Sequence, residues 1–182
     1  MRIVAGTRKG ARIFAPRGMD TRPTGDRVRE AVFNLVGPVD GAIVLDLYAG
    51  SGAMGLEALS RCAASAVFVE TDRDACVTIK RNLDKLGLDG AEIACSDTLR
   101  FLAAESSRPK RGRFDLILVD PPYDVVESLA VRLALYLPAV LAENGLVVLE
   151  SSARDEPGLP PLEQRTSRRY GSARVTLFEA AQ

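Results

Sequence analysis

The sequence predicts an α/β domain built on a mostly parallel sheet whose last strand runs antiparallel. Two observations carry that prediction. Between residues 43 and 150, short apolar runs alternate with amphipathic segments, the rhythm of parallel strands and their crossover helices. After Glu150 the rhythm breaks. Residues 164–170 and 175–179 flank a Gly171-Ser172 turn too short to hold a helix, so they form a hairpin.

Residues 3–5 and 11–14 are short apolar stretches around Gly6-Thr7-Arg8-Lys9-Gly10, which predicts a small basic hairpin. Thr24 can cap a helix running to about Val36, with Val28, Ala31, Val32, Leu35 and Val36 on one face. Gly37-Pro38 ends it and divides an N-terminal extension, 1–38, from the main domain, 39–182. Strands are predicted at 43–47, 66–70, 91–95, 114–120 and 146–150. Helices run from the Gly50–Gly55 turn to about Ser60, from Asp72 to about Leu86, from Asp97 to about Glu105, and from Val125 to Leu137, before Pro138. With the hairpin, the count is seven strands. A sixth strand parallel to the others brings its hairpin turn, with Arg168, Arg169, Tyr170 and Arg174, to the edge where open α/β sheets bind ligands. The Pro-rich loop 151–163 has no assigned role.

The length, 182 residues, suits one domain with a short appendage, and a monomer is expected. No apolar run approaches a membrane span, and the N-terminus has no signal-peptide pattern, which predicts a cytoplasmic protein with no membrane partner. Cys62, Cys76 and Cys95 match no zinc or redox spacing and are expected to be buried thiols. The chain has no histidine, which excludes an imidazole base, a His-ligated metal and a Ser-His-Asp triad. No metal is expected. The formal net charge is zero, against a generic polyelectrolyte binder. Yet Arg2, Arg8, Lys9, Arg12, Arg17, Arg22, Arg27 and Arg29 crowd the first thirty residues, against Asp20, Asp26 and Glu30. That asymmetry predicts a polyanion-facing segment.

Two motifs carry chemistry. Asp120-Pro121-Pro122-Tyr123 follows an apolar strand that two prolines must stop. It sets a carboxylate, a carbonyl and an aromatic ring at a strand's C-terminal end, fit for a flat polar substrate such as a nucleobase. Asp46-Leu47-Tyr48-Ala49-Gly50-Ser51-Gly52 links the first strand of the main domain to its helix. Gly50, Gly52 and Gly55 satisfy G-x-G-x-x-G, and Glu70 ends the next strand, where an acid can grip ribose hydroxyls in a dinucleotide enzyme or a methyltransferase alike. Asp46 discriminates: an acid before the glycines is unhelpful beside a pyrophosphate but suits a cationic amino group. Asp97 can accept from an adenine N6 amine, cap the next helix, or both.

Together with the tail hairpin, these features resemble the class I S-adenosylmethionine-dependent methyltransferases, and the tetrapeptide is similar to the [Asn/Asp]-Pro-Pro-[Tyr/Phe] motif of enzymes that methylate exocyclic amines of bases. The resemblance narrows at Arg2-Ile3-Val4-Ala5-Gly6, Thr21-Arg22-Pro23-Thr24 and Asp26-Arg27-Val28-Arg29-Glu30, and again from Asp46 through Arg61, to the RsmD family. It implies a Rossmann-like fold, S-adenosylmethionine as cofactor and methyl transfer to N2 of guanine 966 in 16S rRNA, on the small ribosomal subunit. Asp46, Tyr48, Ala49, Gly50, Ser51, Gly52, Glu70, Thr71, Asp97 and Thr98 would hold the cofactor, with Tyr48 lining the pocket rather than catalysing, or simply part of the core. Asp120, Pro121, Pro122 and Tyr123 would hold and orient the base. Arg2, Arg8, Lys9, Arg12, Arg22, Thr24, Arg27, Arg29, Arg168 and Arg169 would contact RNA. The alternatives are an amino-methyltransferase acting on adenine N6 or cytosine N4 of DNA or RNA, and a non-catalytic RNA-binding module on the same fold. A nicotinamide oxidoreductase would leave the proline pair and basic hairpin unexplained.

Overall fold

The structure is a computed structural model that describes residues 1–16, 24–108, 114–122 and 125–181. Five strands, β1 (Ile43–Leu47), β2 (Ser65–Glu70), β3 (Ala91–Cys95), β4 (Phe114–Val119) and β5 (Leu141–Ser152), pair in parallel, and β6 (Glu163–Tyr170) and β7 (Ala173–Glu179) complete a seven-stranded sheet. Its order is β3-β2-β1-β4-β5-β7-β6, with β7 antiparallel to both neighbours. Period-two alternation divides each strand between two cores. Val44, Phe68, Leu116, Val148 and Leu177 face one side; Leu45, Val69, Ile117, Val147 and Phe178 face the other. Helices α1 (Thr24–Val36), α2 (Ala53–Ser60) and α3 (Arg73–Leu86) cover the first side. On the second lie α4 (Thr98–Ser106), α5 (Val126–Leu133) and α6 (Leu137–Val140).

The fold class and the strand count agree with the sequence. Asp72 caps α3 by accepting from the Ala75 N–H at 2.9 Å, and Gly87, at φ +57°, closes it. Two stretches differ most from the predicted bounds. Pro138, expected to stop a helix, instead sits in the first turn of α6, where its missing N–H costs nothing; α5 has already ended at Leu133. Strand β5 starts five residues early. Its register against β4 shifts between Phe114/Leu141 and Leu116/Leu146, so Glu143-Asn144-Gly145, turn-like in sequence, forms an irregularity within the strand. A Cβ on Gly145 would come within 2.9 Å of the Phe114 carbonyl oxygen, so the bulge needs a glycine. Cys62 and Cys95 are exposed, against expectation, and Cys76 alone is buried.

The N-terminal hairpin is reduced to one bridge, Arg2–Arg12, around a 3-10 turn at Gly6–Arg8. Its stability comes from the main domain. Ile3, Ile13, Val28, Val32 and Phe33 are buried in the same cluster as Val44, Leu56 and Phe68. Glu57, fully buried on α2, accepts the amides of Val4 and Ala5 at 2.7 and 2.8 Å. Ser60 bonds the Ala5 carbonyl and the Arg8 amide. Gly6 packs so closely that a Cβ would lie 1.9 Å from the Ser60 carbonyl oxygen, and its φ of +80° also favours glycine. The loop after β5 likewise closes a core, burying Leu159 and Leu162.

Candidate active site

Strand order reverses between β1 and β4, because β2 and β3 lie to one side of β1 and the later strands to the other. The crevice at the C-terminal ends of that pair is where such sheets bind ligands. Leu47 pairs with Val119 and with Val69, so the segments after β1, β2 and β4 emerge side by side.

The turn after β1 is built for close approach. Tyr48, Gly50 and Gly52 all have positive φ, at 60°, 54° and 78°; for a tyrosine this is a strained state costing on the order of 1 kcal/mol. Ala49 N donates to the Val69 carbonyl at 3.1 Å, and Gly52 N to Ala49 O at 2.7 Å. Gly55 lets α2 lie on β2: a Cβ there would come within 2.4 Å of the Phe68 ring.

Two carboxylates frame the turn. Asp46 lies beneath it, almost fully buried, and accepts the Gly55 N–H at 2.8 Å. Burial pushes its pKa up to about 7, against the lowering pull of the Gly55 hydrogen bond and with a further rise from Glu70. Glu70 ties the end of β2 to the turn after β1. Its Oε2 accepts from Gly50 N at 2.8 Å, and its Oε1 from Thr71 N and Asp72 N at 2.7 and 2.9 Å. Thr71 Oγ1 lies 3.3 Å from the same oxygen. Oε1 is thereby filled, while Oε2, with a single amide donor, has a lone pair to spare for a hydroxyl.

Beyond β3, Asp97 caps α4 with Oδ1, accepting from Arg100 N at 2.9 Å, and that cap engages only one of its oxygens. Tyr48 is half-buried and partly packed on the second core, so lining and core roles coincide. Its phenol pKa is raised chiefly by burial, while a hydrogen bond from the buried Thr98 opposes the rise and Asp97 adds to it. These contacts bring Tyr48, Asp97 and Thr98 together. Ser51 is buried, and its carbonyl accepts from Asn82 Nδ2 at 3.0 Å.

Across the crevice, β4 ends and Asp120 is exposed, with Pro121 buried and Pro122 exposed behind it. Val125 N donates to the Pro122 carbonyl at 3.2 Å. Tyr123 lies outside the described residues. The carboxylate of Asp120 and the carbonyl of Pro121 thus follow the strand next to the glycine turn.

The basic residues divide. Arg2, Lys9 and Arg27 line one open groove of about 410 Å³, shared with Ile3, Val4, Gly10 and the acids Asp26 and Glu30. Arg2 is partly offset by Asp26, at 3.6 Å. Arg12 is exposed nearby on the bridge. Arg168 and Arg169 are exposed on β6, an edge strand, and their hairpin lies at the ligand-bearing edge as expected, since Ser152 pairs with Ala173. Arg174 is instead drawn inward, bonding Glu156 and Ser167.

Arg29 and Arg8 depart from the expectation. Arg29 is 3% exposed and directs its guanidinium to Asp26 at 2.8 Å, to Glu57 at 3.4 Å and to the Arg2 carbonyl. Arg8 bonds the Leu86 carbonyl and, at 3.0 Å, the Gly87 carbonyl at the end of α3. The Arg29 guanidinium is thus engaged inside the protein and is not presented to a polyanion, whereas Arg8 is half-buried with two of its nitrogens tied to the end of α3. Arg22 and the side chain of Thr24 lie outside the described residues. Glu57 and Asn82 escaped the sequence reading, although each left a signal. Glu57 is the lone charge in an otherwise apolar helix, and Asn82 falls on the buried stripe of α3 with Ala75, Ile79 and Leu86.

Sheet order, switch-point crevice and glycine turn define a class I S-adenosylmethionine-dependent methyltransferase. The glycine turn admits a close-lying ligand, and the acids ending β1, β2 and beginning α4 suit an ammonium, a ribose and an adenine respectively. SMU.776, solved in complex with SAH, shares this fold, with a TM-score of 0.68 at 15% identity over 85% of this chain and 49% of that one. The chain belongs to the RsmD family, described as Conserved hypothetical protein 95, whose model matches residues 1–179. It is 38% identical over 163 residues to Ribosomal RNA small subunit methyltransferase D of Escherichia coli (strain K12), covering 88% of this chain and 78% of that protein. The solved structure of yhhF from Escherichia coli superposes with a TM-score of 0.81 at 33% identity, covering 100% and 99% of the two chains. Among the described residues, no helix is long and apolar enough to cross a membrane.

Proposed function

We propose that this protein transfers a methyl group to the exocyclic N2 amine of a guanine in 16S rRNA, at the position of guanine 966, on the small ribosomal subunit. The observation that carries this reading is the placement of Asp120 and the Pro121 carbonyl directly after the strand that adjoins the glycine turn. The rRNA assignment is supported by the named activity of the Escherichia coli relative and by the groove that Arg2, Lys9 and Arg27 share. When bound, S-adenosylmethionine supplies an electrophilic methyl group on a sulfonium.

Asp46 would hold the amino group, Glu70 the ribose hydroxyls and Asp97 the adenine, with Tyr48, Ala49, Gly50, Ser51, Gly52, Thr71 and Thr98 lining the pocket. A guanine N2 lone pair is delocalised into the ring and is a poor nucleophile. Asp120 and the Pro121 carbonyl both accept from the amine's hydrogens. That draws the nitrogen toward tetrahedral geometry and fixes the direction of its lone pair. Once methylated, the nitrogen is acidic and releases its proton to Asp120 or water, so no histidine is needed. Tyr123 would stack on the base, held out of its helix. Arg12, Arg168 and Arg169 would position phosphates around it.

The test is methyl transfer from labelled cofactor to unmethylated small subunits and, separately, to naked 16S rRNA, with mass mapping of the modified nucleoside. N2-methylguanosine at one site is the expected product. N6-methyladenosine or N4-methylcytidine would give the site to another amine, and no transfer to either substrate would remove the rRNA assignment.

A further inference from the structure

Phe14 is one of the few large apolar side chains left in solvent, 38% exposed, yet its backbone is firmly held. The fully buried Asn82 accepts from Phe14 N at 2.7 Å and donates to Phe14 O at 3.1 Å, and its amide also donates to Ser51 O at 3.0 Å. One side chain therefore ties Phe14 to the cofactor turn. Two cations converge on the exposed ring. The Arg81 guanidinium carbon lies 4.4 Å and the Lys85 ammonium 4.5 Å from its centroid.

Arg81 and Lys85 are four residues apart on α3, where like charges repel, and the ring holds them together against that repulsion. Among the described residues neither makes an ion pair, and Asp84 between them bridges to neither. The negative end of the helix dipole accounts for a cation at Lys85, but not for Arg81 or for an exposed ring beneath both. Two cations gathered over one aromatic ring suit the phosphates of a nucleic-acid backbone, and the part of Phe14 that stays exposed can meet a ribose beside them.

We propose that Phe14, Arg81 and Lys85 form a further anchoring point for substrate RNA, taking backbone phosphates of a single-stranded or loop segment at a place that Asn82 keeps in fixed relation to the cofactor turn. This rests on the RNA reading above. It adds a station on the face of α3, separate from the groove of Arg2, Lys9 and Arg27.

The test compares the full-length wild type with Arg81→Gln/Lys85→Gln and with Arg100→Gln/Arg108→Gln. The second pair removes the same formal charge on the opposite side of the sheet, from Arg100 on α4 and from Arg108 just past its end. Binding of unmethylated 16S rRNA and, separately, of unmethylated small subunits is measured across a salt series, with cofactor affinity and melting temperature alongside. The α3 pair is expected to weaken RNA binding roughly tenfold or more. It should lower the slope of log K against log salt by about 1.4, as two single-strand phosphate contacts would, and leave cofactor affinity and melting unchanged. The α4 pair is expected to bind like the wild type. RNA affinity and slope for the α3 pair that match the α4 pair would overturn the proposal. So would unchanged affinity for naked RNA with weakened binding to assembled subunits, which would assign the patch to a protein contact. A wild type that fails to bind RNA at all would instead remove the RNA reading itself.

Discussion

Two buried carboxylates at opposite ends of α2 are used in opposite ways. Asp46, under the helix's first turn, makes a single hydrogen bond to Gly55 and has a pKa raised to about 7. Glu57, near the other end, gathers the amides of Val4 and Ala5, Arg61 at 2.9 Å and Arg29 at 3.4 Å. Both are nearly inaccessible to solvent, so burial alone does not distinguish them. What differs is satisfaction. Glu57 is spent on closing the N-terminal segment onto the core. Asp46 is kept short of partners beside the glycine turn, the usual setting of a perturbed functional acid.

That contrast can be broken or sharpened by substitution. The largest effect is expected across the crevice, at a third acid. Asp120→Ala should lower the rate of transfer by about 10³-fold, roughly 4 kcal/mol of transition-state stabilisation, with cofactor affinity intact. Calorimetry showing equal loss of cofactor binding would take Asp120 out of its substrate role. Glu57→Ala should then cost about 3 kcal/mol of stability, read by thermal or denaturant unfolding, because it leaves two amides and the Arg29 guanidinium short of a buried acceptor. An unchanged midpoint would show that the N-terminal segment is held by its apolar contacts alone. The smallest effect is at Asp97. Asp97→Ser preserves a cap for α4 but removes the second acceptor, so cofactor affinity should fall about threefold to tenfold with the melting temperature unmoved. A falling melting temperature with full affinity would make Asp97 a cap and nothing more.

The glycine turn and its flanking acids were legible in the sequence because their placement is local. An acid, three glycines and a second acid twenty residues on sit in a repeating strand–helix rhythm, and each lands at a strand end. The tail hairpin was legible for the same reason, since two residues cannot hold a crossover. The fate of the arginines was not. Charge crowding places eight basic residues in the first thirty, but only the fold reveals that Arg29 meets Glu57, 28 positions away, and that Arg8 meets the end of α3. Local patterning carries no record of such distant pairings. The bulge in β5 was missed because Glu143-Asn144-Gly145 has turn chemistry that the pairing with β4 overrides. Pro138 was misread because a proline that stops one helix is equally suited to begin the next.

The most direct test of the contrast is cofactor affinity and stability against pH, for the wild type and for Asp46→Asn. Because the folded pKa of Asp46, about 7, lies above its unfolded value of 3.8, the folded state holds the extra proton. The ligand-free wild type should therefore be most stable at low pH with respect to this group, and lose that contribution as pH rises through about 7. A bound ammonium favours the ionised acid. Affinity for S-adenosylmethionine should accordingly rise with pH between about 5.5 and 7.5, with proton release on binding. Asp46→Asn is expected to bind more weakly, to show no such pH dependence, and to melt higher than the wild type near pH 8. An affinity that stays flat with pH in the wild type, or a variant that binds as tightly but melts lower, would contradict the account and make Asp46 a structural acid like Glu57.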